Sequence, residues 1–448
     1  MSKKINVIII GAAGRDFHNF NTYYRDNDLY NVVGFTAAQI PDIDGRKYPA
    51  ALAGKLYPEG IPIFAESELP VLIKKLGVDE CTFSYSDVSY QHVMNVSAIV
   101  NAAGANFRLL GPKDTQIKST KPVIAVCAVR TGAGKGQTAR RVIEALMAKG
   151  LKVVAARHPM PYGDLTKQEC MRFATVEDLK KNNCTIEEME EYEPHVIRGN
   201  VIYSGVDYEK ILRSMEKDPH GCHVVIWDGG NNDFPFFVTD LLFTIVDPLR
   251  PGHELSFYPG EATLRMADVA VINKIDSASL DDINTVRANI AKVAPNARVI
   301  DGASPIKVDN PDIIAGKRVL VVEDGPTLTH GHMKIGAGAV AAMRYGAASM
   351  VDARPYAVGR ICETYAIYPE IGQVLPAMGY GEQQLKDLET TINNTECDAV
   401  LVATPMDLNR IIKIKHPNTR VYYDLQEIGE PTVDTIIADF CKKHNIGK

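Results

Sequence analysis

Paired cysteines are missing from this sequence. Its eight cysteines (Cys81, Cys127, Cys170, Cys184, Cys222, Cys362, Cys397, Cys441) are scattered over 448 residues with no CxxC pair. That excludes a zinc ribbon or a disulfide framework and points to a reducing compartment. Long apolar runs are also missing, since none reaches the roughly 18–20 residues of a membrane helix. The short run at residues 5–10 leads into Gly11 rather than a cleavage site, unlike a signal peptide. There is no basic excess either: Lys+Arg 49 against Asp+Glu 55 gives a net charge of −6, which argues against a nucleic-acid-coating protein. Solenoid repeats and low-complexity tracts are absent. What is present is ordinary globular composition, 46% hydrophobic and 23% charged, at a length suited to about two to four domains. The expectation is a cytoplasmic multidomain protein that works on neither nucleic acid nor membrane.

Short β-branched runs alternate with helical patterns along the chain, which predicts α/β architecture with mostly parallel sheets. Strands are expected at residues 6–10, 31–35, 80–84 and 107–110, with a helix over 88–102. These define an N-terminal Rossmann-like domain, residues 1–111, followed by a polar linker at 112–122. A P-loop nucleotide-binding domain is expected over 123–328, with strands at 123–129, 152–157, 223–227, 242–246, 269–273, 298–300 and 318–323. A C-terminal α/β region fills 329–448.

The strongest motif is VIAVCAVRTGAGKGQTARRVIEALMAKG. A buried strand, a Gly-rich turn, a lysine and an amphipathic helix follow one another, as a phosphate-binding loop requires. Thr131, Gly132, Ala133, Gly134, Lys135, Gly136, Gln137 and Thr138 are the candidate nucleotide contacts. Glycines let backbone N–H groups face phosphate, the helix start favours its charge, and Lys135 reaches the terminal phosphates. Gly136 stands where a Mg²⁺-ligating hydroxyl is usual, so Thr138 and Thr131 become the candidate substitutes, Thr138 first, with Asp228 of HVVIWDGGNNDFP as the Walker B carboxylate. Asn273, Lys274 and Asp276 of NKID follow another buried strand and resemble the guanine-reading motif of GTPases, leaving ATP and GTP both open.

Several polar loops follow predicted strands, where an α/β sheet places its ligand crevice. Arg157 and His158 are candidates to bind an anionic acceptor or the transferred phosphoryl, with Asp164 orienting them. Asp247, Arg250, His253 and Glu254 occupy a second such loop. Asp324, Thr327, Thr329, His330 and His332 suggest a further anion site, and Asp352 and Arg354 follow one more strand. The acidic run at 187–193 reads first as a solvated helix face. The N-terminal GAAG reads as a packing turn rather than a working dinucleotide site, because the full GxGxxG spacing is absent.

The strings RTGAGKGQT, RHPMPYGDL, TIEEMEEYEPH, WDGGNNDFP, DPLRPGHE, INKID, EDGPTLTHG and PAMGYG resemble a predicted P-loop GTPase family described as similar to cyclic 2,3-diphosphoglycerate synthetase. The resemblance spans nearly the whole chain; Gly136, Ala128 and His332 depart from the family pattern. It implies ATP-driven closure of an intramolecular phosphoanhydride. The expected function is a Mg²⁺-dependent P-loop enzyme that activates a phosphorylated or carboxylated small molecule, acting as a homodimer. Lys135, Asp228, Arg157 and His158 are its expected catalytic groups. A regulatory or metallochaperone-like GTPase and a non-catalytic nucleotide-binding scaffold are the alternatives.

Overall fold

The structure, a computed structural model, describes every residue except 1–2, 13, 38–42, 44, 160–162, 231–232, 330–335, 378–381 and 448. It is mixed α/β, built on three main sheets that are predominantly parallel.

The N-terminal sheet runs in the order Lys47–Tyr48, Ile61–Ala65, Tyr30–Ala37, Ile5–Ile10, Glu80–Phe83, Asn106–Leu109. All neighbours pair in parallel except Lys47–Tyr48, which is antiparallel to Ile61–Ala65. The strand Ile5–Ile10 is central and fully apolar beyond its first two residues, as a strand covered on both faces must be. The chain reverses its strand order beside it, next to Glu80–Phe83.

The middle sheet has nine strands: Met171–Phe173, Val201–Ser204, Val153–Arg157, Val224–Trp227, Val123–Ala128, Leu241–Val246, Val269–Ile272, Arg298–Ala303 and Gln426–Ile428. The seven inner strands are parallel, and both edge strands are antiparallel. Val123–Ala128 lies at the centre, with every residue buried. Because the inner strands run the same way, the loops after Ala128, Arg157, Trp227, Val246 and Ile272 emerge on one edge, and the site is assembled there.

The third sheet orders Ile306–Val308, Asn418–Tyr423, Ala399–Ala403, Arg318–Asp324 and Ser349–Met350, with Leu375–Ala377 also on Arg318–Asp324. The expected boundary at residue 328 therefore shifts. Arg318–Asp324 is a strand of the C-terminal sheet, not of the phosphate-loop sheet. Conversely, Gln426–Ile428 and the helix Val433–His444 return to the middle unit, where Val433, Ile436, Ile437 and Phe440 join its core. The expected linker is packed as well. It contains the helix Pro112–Thr115, and Ile117 forms a bridge to Phe237. Among the described residues, no helix is long and apolar enough to cross a membrane.

Candidate active site

The loop after Val123–Ala128 leads into the helix Lys135–Ala148, which no side chain caps at its N-terminus. Its first N–H groups are thus left for another acceptor. Gly134 takes φ +111°, and a Cβ there would overlap the Asn273 amide, so glycine is required on two counts.

The loop is clamped from outside by its carbonyls. Arg250 Nη2 donates to Thr131 O at 2.8 Å, Lys274 Nζ to Gly132 O at 2.7 Å, and Asn273 Nδ2 to Ala133 O at 2.8 Å. Asp247 ties two of these clamps together, 2.8 Å from Arg250 and 3.0 Å from Lys274. Burial favours a neutral Asp247, but Lys274 and Arg250 outweigh it and hold the carboxyl below its usual range. Lys274 itself sits at φ +57°, strain of the kind that collects at functional sites. Arg130, one residue before Thr131, pairs with Asp87 at 2.6 Å and meets His253 Nδ1 at 2.8 Å. Arg250 and His253, expected to gather the acceptor, are therefore found bracing the phosphate loop. Asp276 is exposed, and its Oδ1 accepts from Ser304 N at 2.9 Å; Ser304 in turn reaches Asn273 and Gln137.

Lys135, Arg157 and Asp228 do come together. Lys135 Nζ lies 2.7 Å from Asp228 Oδ1, and Arg157 Nη1 lies 3.1 Å from the same oxygen. His195 Nε2 lies 3.0 Å from Asp228 Oδ2, and Asn200 Nδ2 contacts His195 Nδ1 at 3.2 Å. Arg157 also pairs with Glu191. Burial alone would raise the Asp228 carboxyl; Lys135, Arg157 and His195 overcome it and keep the group ionised, well below the usual carboxylate range. Lys135 moves the other way: burial, then Arg157, lower it despite Asp228.

The same contacts occupy the two residues expected to hold Mg²⁺. Both Asp228 oxygens are taken by cationic or imidazole donors. The Thr138 hydroxyl is fully buried and donates to Gly134 O at 3.2 Å. Among the described residues, no group of three His, Cys, Asp or Glu side chains suits a metal ion.

The acidic run is the largest departure from expectation. It forms the helix Ile186–Val196, opened by a Thr185–Glu188 capping box, and Glu187, Glu188, Glu190 and Glu193 are all buried. The helix lies between the middle and C-terminal units: Ile186 packs in the C-terminal core, Glu193 pairs with Arg410 at 3.0 Å, and His195 reaches Asp228. Glu190 is hydrogen-bonded to Asp324, and burial, then Asp324 and Glu187, push it well above its ordinary range. Sequence reasoning missed His195 and Asn200, and it read Glu191 first as part of a solvated face. The i, i+4 spacing of Glu191 and His195 is the signal that places both on one helix face.

The other candidates separate. His158 is buried against Tyr208, Trp227 and Phe236. Thr329 is buried, with its hydroxyl on Gly325 O. Asp164 is exposed and bonds Thr166 in a local turn, and Arg354 is exposed and pairs with Asp352 at 2.6 Å. Neither is placed with Lys135 and Asp228 by any contact described. His330 and His332 lie outside the described residues.

No family model matches the chain. Similarity to solved structures is distant. LpxK from Aquifex aeolicus, in complex with ATP, gives a TM-score of 0.43 at 13% identity over 72% of this chain and 90% of that one. The hydrogenase maturation factor HypB from Archaeoglobus fulgidus gives 0.27 at 18% identity over 41% and 80%. Sequence similarity is far stronger: arginine synthetase ArcE of Thermococcus kodakarensis is 59% identical over 440 residues, covering 98% of each chain. The chain is an enzyme and belongs to the arginine synthetase ArcE family.

Proposed function

We propose that the protein is a nucleotide-dependent synthetase that forms arginine, using the γ-phosphoryl group of ATP to activate an acceptor oxygen. The observation that carries this reading is the Lys135–Asp228 contact at the ends of adjacent parallel strands, beside an uncapped helix start. An incoming γ-phosphate competes with Asp228 for Lys135. Arg157 and His195 stay on Asp228, so the carboxylate is not stranded when Lys135 turns to the phosphate. Lys135 and the loop amides then stabilise charge on the transferring group. Transfer to a ureido-type oxygen makes that oxygen a leaving group. A nitrogen nucleophile attacks the carbon, and phosphate departs with the oxygen. The balance is one ATP consumed, one C–N bond formed, and ADP and phosphate released.

Glu187 and Glu190 lie on the acidic helix with Glu191, which pairs with Arg157, and Asp324 is hydrogen-bonded to Glu190. The alternative acceptor, 2,3-diphosphoglycerate, would draw on the same Lys135 and loop amides. A second nucleotide reading rests on the NKID string, whose Asp276 is exposed and accepts from Ser304 N.

The test is phosphate release from ATP or GTP with each acceptor in turn. Release that requires a ureido amino acid and ammonia, with arginine as product, is the expected result. Release driven by 2,3-diphosphoglycerate, or hydrolysis indifferent to any acceptor, would sink the proposal. Asp276→Asn should alter GTP use and leave ATP use unchanged if the second nucleotide reading holds.

A further inference from the structure

The junction between the N-terminal and middle units buries polar atoms that no described residue satisfies. Arg15 follows the glycine turn at the end of Ile5–Ile10, beside the point where the N-terminal sheet reverses its strand order. Its side chain is 3% exposed. Nη2 donates to Leu110 O at 3.0 Å, and the guanidinium lies over the rings of Phe234 at 4.5 Å and Tyr258 at 5.4 Å. Nη1 has no partner, and among the described residues Arg15 forms no ion pair.

Further orphans surround it. Both ring nitrogens of His158 lack a partner, as do the Tyr258 hydroxyl and Asp233 Oδ1. Asp233 Oδ2 lies 3.9 Å from His158 Nδ1. Gly14 and Gly230 press on the His158 ring from the two units, where a Cβ would come within 3.1 and 3.2 Å. Asp233 does not neutralise Arg15, because burial raises its carboxyl to about 8 even with Arg15 nearby. Burial lowers His158 to about 3, so the imidazole is neutral, with one N–H to give and one lone pair to receive.

A buried guanidinium without a counter-ion is among the least tolerable arrangements in a protein interior. Its planar fork matches a carboxylate, which would supply the missing charge and acceptors together. The place also suits a substrate. His158 follows Arg157, which holds Asp228, and Asp233 closes the loop that Asp228 opens.

We propose that this junction binds the α-carboxylate of the amino-acid substrate, with Arg15 as its anchor and His158 and Tyr258 completing the contacts. The inference rests on the arginine-forming reading and adds the substrate-recognition site. It gives the N-terminal unit a task that the glycine pattern alone did not suggest: it supplies the residue that selects an amino acid over its decarboxylated counterpart.

The test compares L-arginine with agmatine, its decarboxylated form, by equilibrium binding to the full-length protein, with ATP binding as a check on folding. The wild type should prefer L-arginine. Arg15→Met, which keeps an apolar stem over Phe234 and Tyr258, should weaken L-arginine by about 10- to 100-fold and leave agmatine and ATP within a few-fold. If the methionine variant fails to bind ATP, Arg15→Lys decides: the charge stays, the fork is lost, and the preference should fall about tenfold. A preference that survives in a variant still binding ATP overturns the site alone. Failure of the wild type to bind L-arginine, with ATP still bound, overturns the arginine reading and the site together.

Discussion

His195 Nε2 meets Asp228 Oδ2 at 3.0 Å, so a helix rich in glutamate holds the carboxylate that faces the phosphate-loop lysine. His195 leaves from the last turn of Ile186–Val196, and Asn200 fixes the far side of its ring. It acts through Asp228 and is a positioning residue. Replacing it with alanine leaves Asp228 Oδ2 buried and unmatched, at an expected cost of about 1–3 kcal/mol in stability. Turnover should fall through kcat more than through the KM for ATP, since the loop itself is untouched. His195→Gln should recover part of both losses; thermal unfolding and steady-state kinetics read the two effects, and equal losses in the two variants would count against this role.

The loop lysine gives a sharper contrast. Lys135→Ala removes the group proposed to meet the γ-phosphate, and turnover should drop about 100- to 1,000-fold or more. Asp228 keeps Arg157 and His195, so the variant should still fold, with a circular dichroism spectrum matching the wild type. Retained turnover in a folded variant would refute the assignment.

Much of this was legible in the sequence because it is local. The strand ending at Ala128, the glycine turn and the amphipathic helix are neighbours in the chain, and so are the residues of NKID. Six of the nine strands in the middle sheet lie within a few residues of those expected, since buried parallel strands announce themselves as apolar runs; Met171–Phe173, Val201–Ser204 and Gln426–Ile428 were not expected. The acidic helix was not legible. Glu187, Glu190 and Glu193 are buried by Asp324, Arg410 and their surroundings, more than 100 residues further on. A helical wheel shows which residues share a face, but not that another unit will cover it. The same limit hid the return of Val433–His444 to the phosphate-loop helix, where Arg141 pairs with Asp434. It also hid Arg15, which reads as an ordinary surface cation until Phe234 and Tyr258 close over it.

Asp233 should make stability fall with rising pH over an unusual range. Its carboxyl titrates near 4 when unfolded, about the value of any exposed aspartate, and at about 8 when folded, with burial as the main cause. The folded state therefore binds the proton more tightly. The stabilisation is fully present below about pH 4 and is lost as pH rises toward 8. Asp233→Asn cannot titrate, so its melting temperature should decline less than that of the wild type between pH 5 and 8. Asp228 works in the opposite sense. Its depressed carboxyl contributes stability above about pH 4 that disappears only in stronger acid. Parallel melting curves for the wild type and Asp233→Asn across pH 5 to 8 would rule out the buried neutral carboxyl.

Gly134 tests whether loop shape or loop chemistry limits nucleotide binding. Its φ of +111° is costly for any residue with a Cβ, and the added atom would also overlap the Asn273 amide. Gly134→Ala should lose at least about 1–2 kcal/mol from the backbone alone. It should also weaken ATP binding, because the loop cannot keep its left-handed turn and the displaced Asn273 amide loses its hydrogen bond to Ala133 O. The double variant Gly134→Ala/Asn273→Ala removes the overlap with Asn273 and leaves the strained φ, together with the flexible Gln137 amide end at 2.6 Å from the added atom. If crowding dominates, the double variant binds ATP better than Gly134→Ala; if backbone conformation dominates, the two are equally impaired, and both fall below Asn273→Ala. The second outcome is expected, because a displaced amide side chain can rotate while the turn between strand and helix has no other route. Calorimetric ATP affinities of the three variants decide between them, and near-normal binding by Gly134→Ala would mean that the loop does not need its left-handed turn.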